Sequence, residues 1–159
     1  MNTLRTTSTL IAILGAGALF GFYFTMSVSI MPGLDQTNPF AAITANQDIG
    51  RATQQSLFFV ALLGTPVALV FAVALCWREG AQRNWLLLSL LGWVIMLVVT
   101  LVLNVPLNNI LDGLSIVPDQ TDLASIWASY SDDWQKWNWL RVISSGLSLV
   151  FASLAFRLR

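Results

Sequence analysis

No histidine occurs among the 159 residues. That absence excludes haem held by histidine, histidine-ligated zinc, copper or iron, and Ser–His or Cys–His nucleophilic pairs. Cysteine occurs once, as Cys76, so no disulfide can form within the chain. Charge is equally sparse, with 8 basic and 8 acidic residues and a formal net charge of zero. Without a basic patch, nucleic acid is not a partner. The carboxylates are Asp35, Asp48, Glu79, Asp112, Asp119, Asp122, Asp132 and Asp133. No spaced cluster of them argues for a magnesium or calcium site, so no metal is expected, though a carboxylate-only site stays open.

What the chain has instead is apolar surface. Hydrophobic residues make up 56% of it and the mean hydropathy is +0.70, which places it among integral membrane proteins. Four apolar runs stand out, near residues 8–31, 56–77, 84–104 and 139–156. Each is about 20 residues long, the length that crosses a hydrocarbon core. The first begins like a signal peptide, with Arg5 ahead of an apolar stretch. Its apolar character continues through Phe20, Phe22, Phe24 and Met26 to Met31, too far for a cleaved h-region. It reads as a retained span ended by Pro32-Gly33.

Arg5, Arg78, Arg83, Arg157 and Arg159 fall on one side of these spans, opposed only by Glu79. The other side carries the seven aspartates against Arg51, Lys136 and Arg141. The positive-inside rule then puts both termini in the cytoplasm and both long loops outside. Up-down spans with one tight turn at 78–83 predict a single all-α domain over 1–159, a membrane four-helix bundle. Gly17-x-x-x-Gly21 on the first span, and Ser144, Ser148, Ala152 and Ala155 on the fourth, are small enough for close helix packing.

The two outer loops carry helical patterns of their own. Asn38-Pro39 is an N-cap followed by proline at the first helical position, with Phe40, Ile43 and Gln47 at helical spacing, so a short helix over 38–50 is expected. Thr121 or Asp122 caps a second pattern, Trp127, Tyr130, Trp134 and Trp137, which can run straight into the fourth span.

Polar side chains gather at one depth. "FTMSVSIMP" (24–32), "NVPLN" (104–108) and "WQKWNWLR" (134–141) end or begin three spans at the outer level. They bring together Ser27, Asn104, Asn108, Asn138 and Arg141. Trp134, Asn138 and Arg141 share a helix face; Asn104 and Asn108 share one if the helix persists through Pro106. Such groups are expensive in a membrane unless paired or lining a cavity. Helix termination, snorkelling of Arg141 and an interfacial tryptophan belt each explain single members of this set. They do not explain three asparagines and an arginine at one level.

"MPGL" (31–34), "NVPLN" and the array Trp127, Tyr130, Trp134, Trp137-Asn138 and Arg141 resemble the anthrone-oxygenase-like membrane family over about residues 10–156. The resemblance implies a four-span bundle in a bacterial inner membrane. For fungal members it implies oxygenation of an anthrone to an anthraquinone by molecular oxygen, without metal or flavin. Asn104, Asn108, Asn138 and Arg141 are then the candidate catalytic residues, stabilising an oxyanion. Ser27, Met31, Tyr130, Trp134 and Trp137 are the candidate substrate-binding residues, with Trp134 and Trp137 stacking on a flat polycycle. The base is Asp132, Asp133, Tyr130 or water. In "NQDIGR", Gly50 departs from an expected asparagine, which removes one polar wall and allows a different substrate.

The expected partner is therefore a small apolar aromatic or lipid-like molecule within the membrane. A homo-oligomer is compatible with the sequence. The rival class is a non-enzymatic membrane protein that binds a lipid or quinone, or serves as an accessory subunit of a larger complex. A transporter fits less well, because no charged residue lies deep in any span.

Overall fold

The computed structural model describes residues 2–118 and 122–158. Asp119, Thr121 and Arg159, named above, lie outside them. All regular structure among the described residues is helical, and four helical runs are long and apolar enough to cross a membrane. They are Thr3–Asp35, Phe58–Leu75, Gly80–Asp112 and Leu123–Arg157. The fold is an all-α four-helix membrane bundle. Its outward surface is apolar: Leu63, Phe71, Leu91, Ile143 and Val150 are all half exposed or more. A protein surrounded by water rarely leaves so continuous an apolar surface open.

The first and third runs are longer than the sequence pattern indicates, and both use one device to pass a proline. Helix α1 (Asn2–Thr25) continues through a π-helical segment, Met26–Ile30, into α2 (Met31–Asp35). Two later runs are α3 (Pro39–Gln54) and α4 (Phe58–Leu75). Helix α5 (Gly80–Val99) continues through a second π segment, Thr100–Asn104, into α6 (Val105–Asp112). The N–H of Met31 bonds the carbonyl of Met26, and that of Val105 bonds Thr100, five residues back in each case. A proline follows at once, Pro32 or Pro106. Proline lacks the N–H that continues the ladder and crowds the carbonyl of the preceding turn. The widened π turn absorbs that misfit, so the helix bends without ending. The first run therefore continues past the expected stop at Pro32-Gly33 to Asp35, and the third persists through Pro106 to Asp112.

Helix α7 (Leu123–Arg157) joins the expected loop helix and the fourth span in one 35-residue run. Asp122 stands at its N-cap but makes no side-chain capping bond. Helix α3 starts where expected, with Asn38 Oδ1 accepting from the Phe40 N–H at 2.9 Å, and runs on to Gln54. It packs against α2, α4, α6 and α7, its Gln47 Nε2 donating to the Leu111 carbonyl at 2.9 Å. The bundle thus has a capped end, where α2, α3 and α6 gather, and a terminal end, where Arg5 pairs with Glu79 at 3.0 Å.

There are two cores. One fills the bundle around Leu69, Leu86, Met96 and Ala155; the other fills the capped end around Met31, Ile43, Leu111 and Trp127. The fourth-span stripe Ser144, Ser148, Ala152 and Ala155 is buried as expected. Its partner is Gly92 of α5, where an added Cβ would lie 2.8 Å from the Ser144 carbonyl oxygen. Beside it, Ser89 Oγ donates to the Ser148 carbonyl at 2.8 Å. Gly15 meets Thr65 more closely still, whereas a Cβ on Gly21 would meet nothing within 4 Å. The tight approaches are therefore at Gly15 and Gly92 rather than at Gly17-x-x-x-Gly21. Gly92→Val should lose about 1–3 kcal/mol through overpacking. Thermal unfolding in detergent should show a drop of several degrees for Gly92→Val and almost none for Gly21→Val.

Candidate functional site

Helix α4 is the shortest of the four spanning runs, and at the capped end its first turn leaves a gap that α3 roofs. A cavity of about 190 Å³ lies there, where the two cores meet. Its walls come from the α1–α2 run (Phe22, Tyr23, Met26), α3 (Asn46, Ile49, Gly50), α4 (Phe58, Phe59, Leu62), the α5–α6 run (Thr100, Leu101, Val105, Asn108, Asp112) and α7 (Tyr130, Trp134, Arg141), with Thr53 and Gln54 at the end of α3. On the α5–α6 run, Leu101, Val105, Asn108 and Asp112 recur at spacings of four, three and four, a single helix face carried intact past Pro106. Its exposed members are apolar Phe59 and Leu101 and polar Gln54 and Asp112. The mouth therefore has one greasy lip and one wet lip.

Arg141 is the most unusual group on this wall. It is only 4% exposed, and its guanidinium carbon lies 4.5 Å from the Tyr23 ring centroid and 4.8 Å from that of Trp134. Nε and Nη2 are buried with no hydrogen-bond acceptor among the described residues. The Tyr23 hydroxyl lies within electrostatic and hydrogen-bonding range of the guanidinium, but no hydrogen bond of good geometry forms between them. The ion pairs among the described residues, Arg5–Glu79, Arg51–Asp48 and Lys136–Asp133, leave Arg141 out. Removing an ion from water costs several kcal/mol, and contact with ring faces recovers only about 2 kcal/mol when desolvated. Among the described residues, this cation has no anionic partner.

Asn108 supplies the second cavity-facing donor. Its Oδ1 accepts from the Tyr130 hydroxyl and from Trp134 Nε1, each at 2.9 Å. Two donors on one oxygen fix which end of the carboxamide is which. The amide N–H pair has no acceptor among the described residues, on a residue that lines the cavity. Tyr130 itself is held from the far side by Asn46, whose Nδ2 donates to its hydroxyl at 2.8 Å.

Asn104 and Asn138 do a different job. Both are fully buried and neither is part of the cavity wall. Asn104 Nδ2 donates to the Trp134 carbonyl at 3.2 Å; Asn138 Nδ2 donates to the Tyr23 carbonyl at 2.9 Å and to Ser27 Oγ at 2.6 Å. Each thus grips the backbone of one of the two rings that sandwich Arg141. Their Oδ1 atoms are buried without a partner. Ser27 belongs to this clamp and not to the cavity wall. Met31 is fully buried in the capped-end core. Trp137 falls at the margin of the buried stripe of α7, 37% exposed and outside the wall, in the manner of an interfacial tryptophan.

Of the expected residues, the structure brings Asn108, Tyr130, Trp134 and Arg141 together around one space and sets Ser27, Met31, Asn104, Asn138 and Trp137 off it. Sequence reasoning missed Tyr23, Asn46 and Asp112. Tyr23 had a signal, being the one phenol in the first span. Asn46 had a weaker one, since it lies next to Gln47 on a helix already expected. Gly50 does form part of the wall, and a Cβ there would meet nothing within 4 Å, so the wall is open where a side chain is missing.

Fold and cavity together define a small four-span membrane protein with a mostly apolar cavity near one end, into whose wall Asn108, Tyr130 and Arg141 are set. The chain belongs to the anthrone oxygenase family, whose profile, described as "Anthrone oxygenase", matches residues 51–151. The matched stretch includes Asn108, Tyr130, Trp134 and Arg141 and stops short of Tyr23 and Asn46. No curated protein and no solved structure gives a significant match.

Proposed function

We propose that the protein is a cofactor-independent oxygenase acting on a flat, acidic aromatic of the anthrone type. The carrying observation is the buried, unpaired Arg141 between two aromatic rings on a cavity wall. An anthrone becomes reactive towards oxygen once it has lost a proton, its electron pair then resting largely on the carbonyl oxygen. Arg141 and the free N–H groups of Asn108 are the donors for that oxyanion, held in a place from which water is mostly excluded. Overall, the ring CH₂ gives up two hydrogens and four electrons. It takes one oxygen atom as a carbonyl, and the second oxygen leaves as water. Oxygen is the oxidant and the substrate the only reductant.

The space bounds the substrate. It exceeds the ~150 Å³ that admits a benzene and falls below the ~300 Å³ of ordinary ligand sites. The reacting edge of a fused-ring system fits inside while the rest extends through the mouth past Phe59 and Leu101. By the arginine distribution, the termini face the cytoplasm and the cavity lies towards the outer surface of the membrane.

Purified protein in lipid nanodiscs should consume oxygen on addition of anthrone. With labelled oxygen, one atom should enter the product carbonyl and one should enter water. The apolar lip also favours a second reading, a binder of an anionic lipid or quinone whose tail lies along Phe59 and Leu101. That reading gains if the protein carries one such molecule through purification and anthrone raises no oxygen uptake, and the oxygenase reading then falls.

A further inference from the structure

Deprotonation needs an acceptor, and the donor cluster offers none. Arg141 and the Asn108 amide only donate. The Tyr130 hydroxyl gives its hydrogen to Asn108 Oδ1 and receives one from Asn46, so its oxygen is already engaged by two partners. Asp132 and Asp133 are exposed on α7 and absent from the cavity wall, and Asp133 is paired with Lys136 at 2.9 Å. Asp35 accepts from Trp127 Nε1 and Ser131 Oγ, tying α2 to α7. Among the described residues, the carboxylate that lines the cavity is Asp112.

Asp112 closes α6 one turn beyond Asn108, on the same face as Val105 and Leu101. It makes no hydrogen bond or ion pair with another described residue, and it is exposed at the wet lip of the mouth. A base in that position meets the substrate on entry and can return the proton to water after each turnover. The other titratable groups on the wall are Tyr23 of α1 and Tyr130 and Arg141 of α7; α3 and α4 contribute none.

We infer that Asp112 is the general base of this site, taking the acidic C–H proton of the substrate at the cavity mouth while Arg141 and Asn108 hold the oxygen. The C–H bond breaks, an O–H bond forms on the carboxylate, and the electron pair moves into the ring system towards its carbonyl oxygen. This rests on the oxygenase reading above and adds the missing proton acceptor to it.

The test compares wild type with Asp112→Asn for oxygen uptake with anthrone across pH. At neutral pH the variant should lose about 100-fold or more in rate, within the range for a positioned base. Its rate should recover as pH rises through the substrate's own ionisation, because the anion then arrives already formed. Quenching of tryptophan fluorescence by a non-reactive phenolate should be unchanged, showing the donors intact. A variant that keeps the wild-type rate and pH profile overturns the assignment, as does loss of rate with no recovery at high pH despite normal phenolate binding. Oxygen uptake absent from the wild type itself would instead bring down the oxygenase reading.

Discussion

Replacing Arg141 with glutamine should lower anthrone-dependent oxygen uptake by about 100- to 1,000-fold and, at the same time, leave the protein folded and more resistant to heat. The two effects share a cause. In the resting protein the guanidinium is buried with Nε and Nη2 lacking acceptors, so its desolvation is uncompensated by any partner charge. A neutral side chain of similar reach removes that penalty. During the reaction the same cation meets the oxyanion for which the site is built, and its loss is felt only there. A 100-fold fall corresponds to about 2.7 kcal/mol of transition-state stabilisation. Lysine is not an adequate substitute, since its compact ammonium lacks the planar fork and stacks poorly between Tyr23 and Trp134. Arg141→Lys should therefore retain only a small part of the rate. Oxygen-electrode rates and unfolding midpoints on the same preparations check both halves. A variant that turns over normally removes Arg141 from the chemistry, and one that melts lower shows it to be a structural brace.

Much of this fold was legible because membranes impose few solutions. Once four apolar runs and a tight turn at 78–83 are seen, helices packed against one another follow from the need to satisfy every backbone group internally. What the pattern misplaced were the ends. Pro32 and Pro106 look like terminators, because in water a proline inside a helix usually is one. The π segments at Met26–Ile30 and Thr100–Asn104 that carry the helices past them have no distinctive composition, so the sequence alone did not expose them.

The site was legible in outline and mixed in detail. Helical spacing put Trp134, Asn138 and Arg141 on one face of α7, and depth put Asn104 and Asn108 beside them. Spacing does not say which polar group faces a cavity and which grips a backbone carbonyl. That depends on the neighbours: Asn138 finds the Tyr23 carbonyl and Asn104 that of Trp134, while Asn108, one turn further on, meets two side-chain donors instead. Asp112 was hidden for a different reason. A carboxylate ending a helix beside a loop looks like any solvated loop residue until the roof helix α3 and the short α4 show that the cavity opens beside it.

Asn108→Asp separates the acceptor role of this residue from its donor role. The carboxylate keeps an oxygen for the Tyr130 hydroxyl and Trp134 Nε1, so the wall around it should hold its shape. It loses both amide donors and places a negative charge on the wall that carries Arg141. The resting site then contains its own counter-ion, and a substrate anion meets repulsion where it had met two donors. Turnover should fall by roughly 100- to 1,000-fold, in line with removal of an oxyanion donor, and the added charge should weaken the binding of a non-reactive phenolate as well. Because the buried guanidinium gains an anion nearby, the melting point should hold or rise. Asn108→Leu should behave differently, leaving the Tyr130 hydroxyl and the Trp134 indole N–H without their acceptor at a cost of about 1–3 kcal/mol for each buried group. Phenolate titration and thermal unfolding of the two variants side by side read this contrast. If Asn108→Asp binds phenolate as tightly as wild type, Asn108 is only a bracket for Tyr130 and Trp134, and Arg141 holds the anion alone.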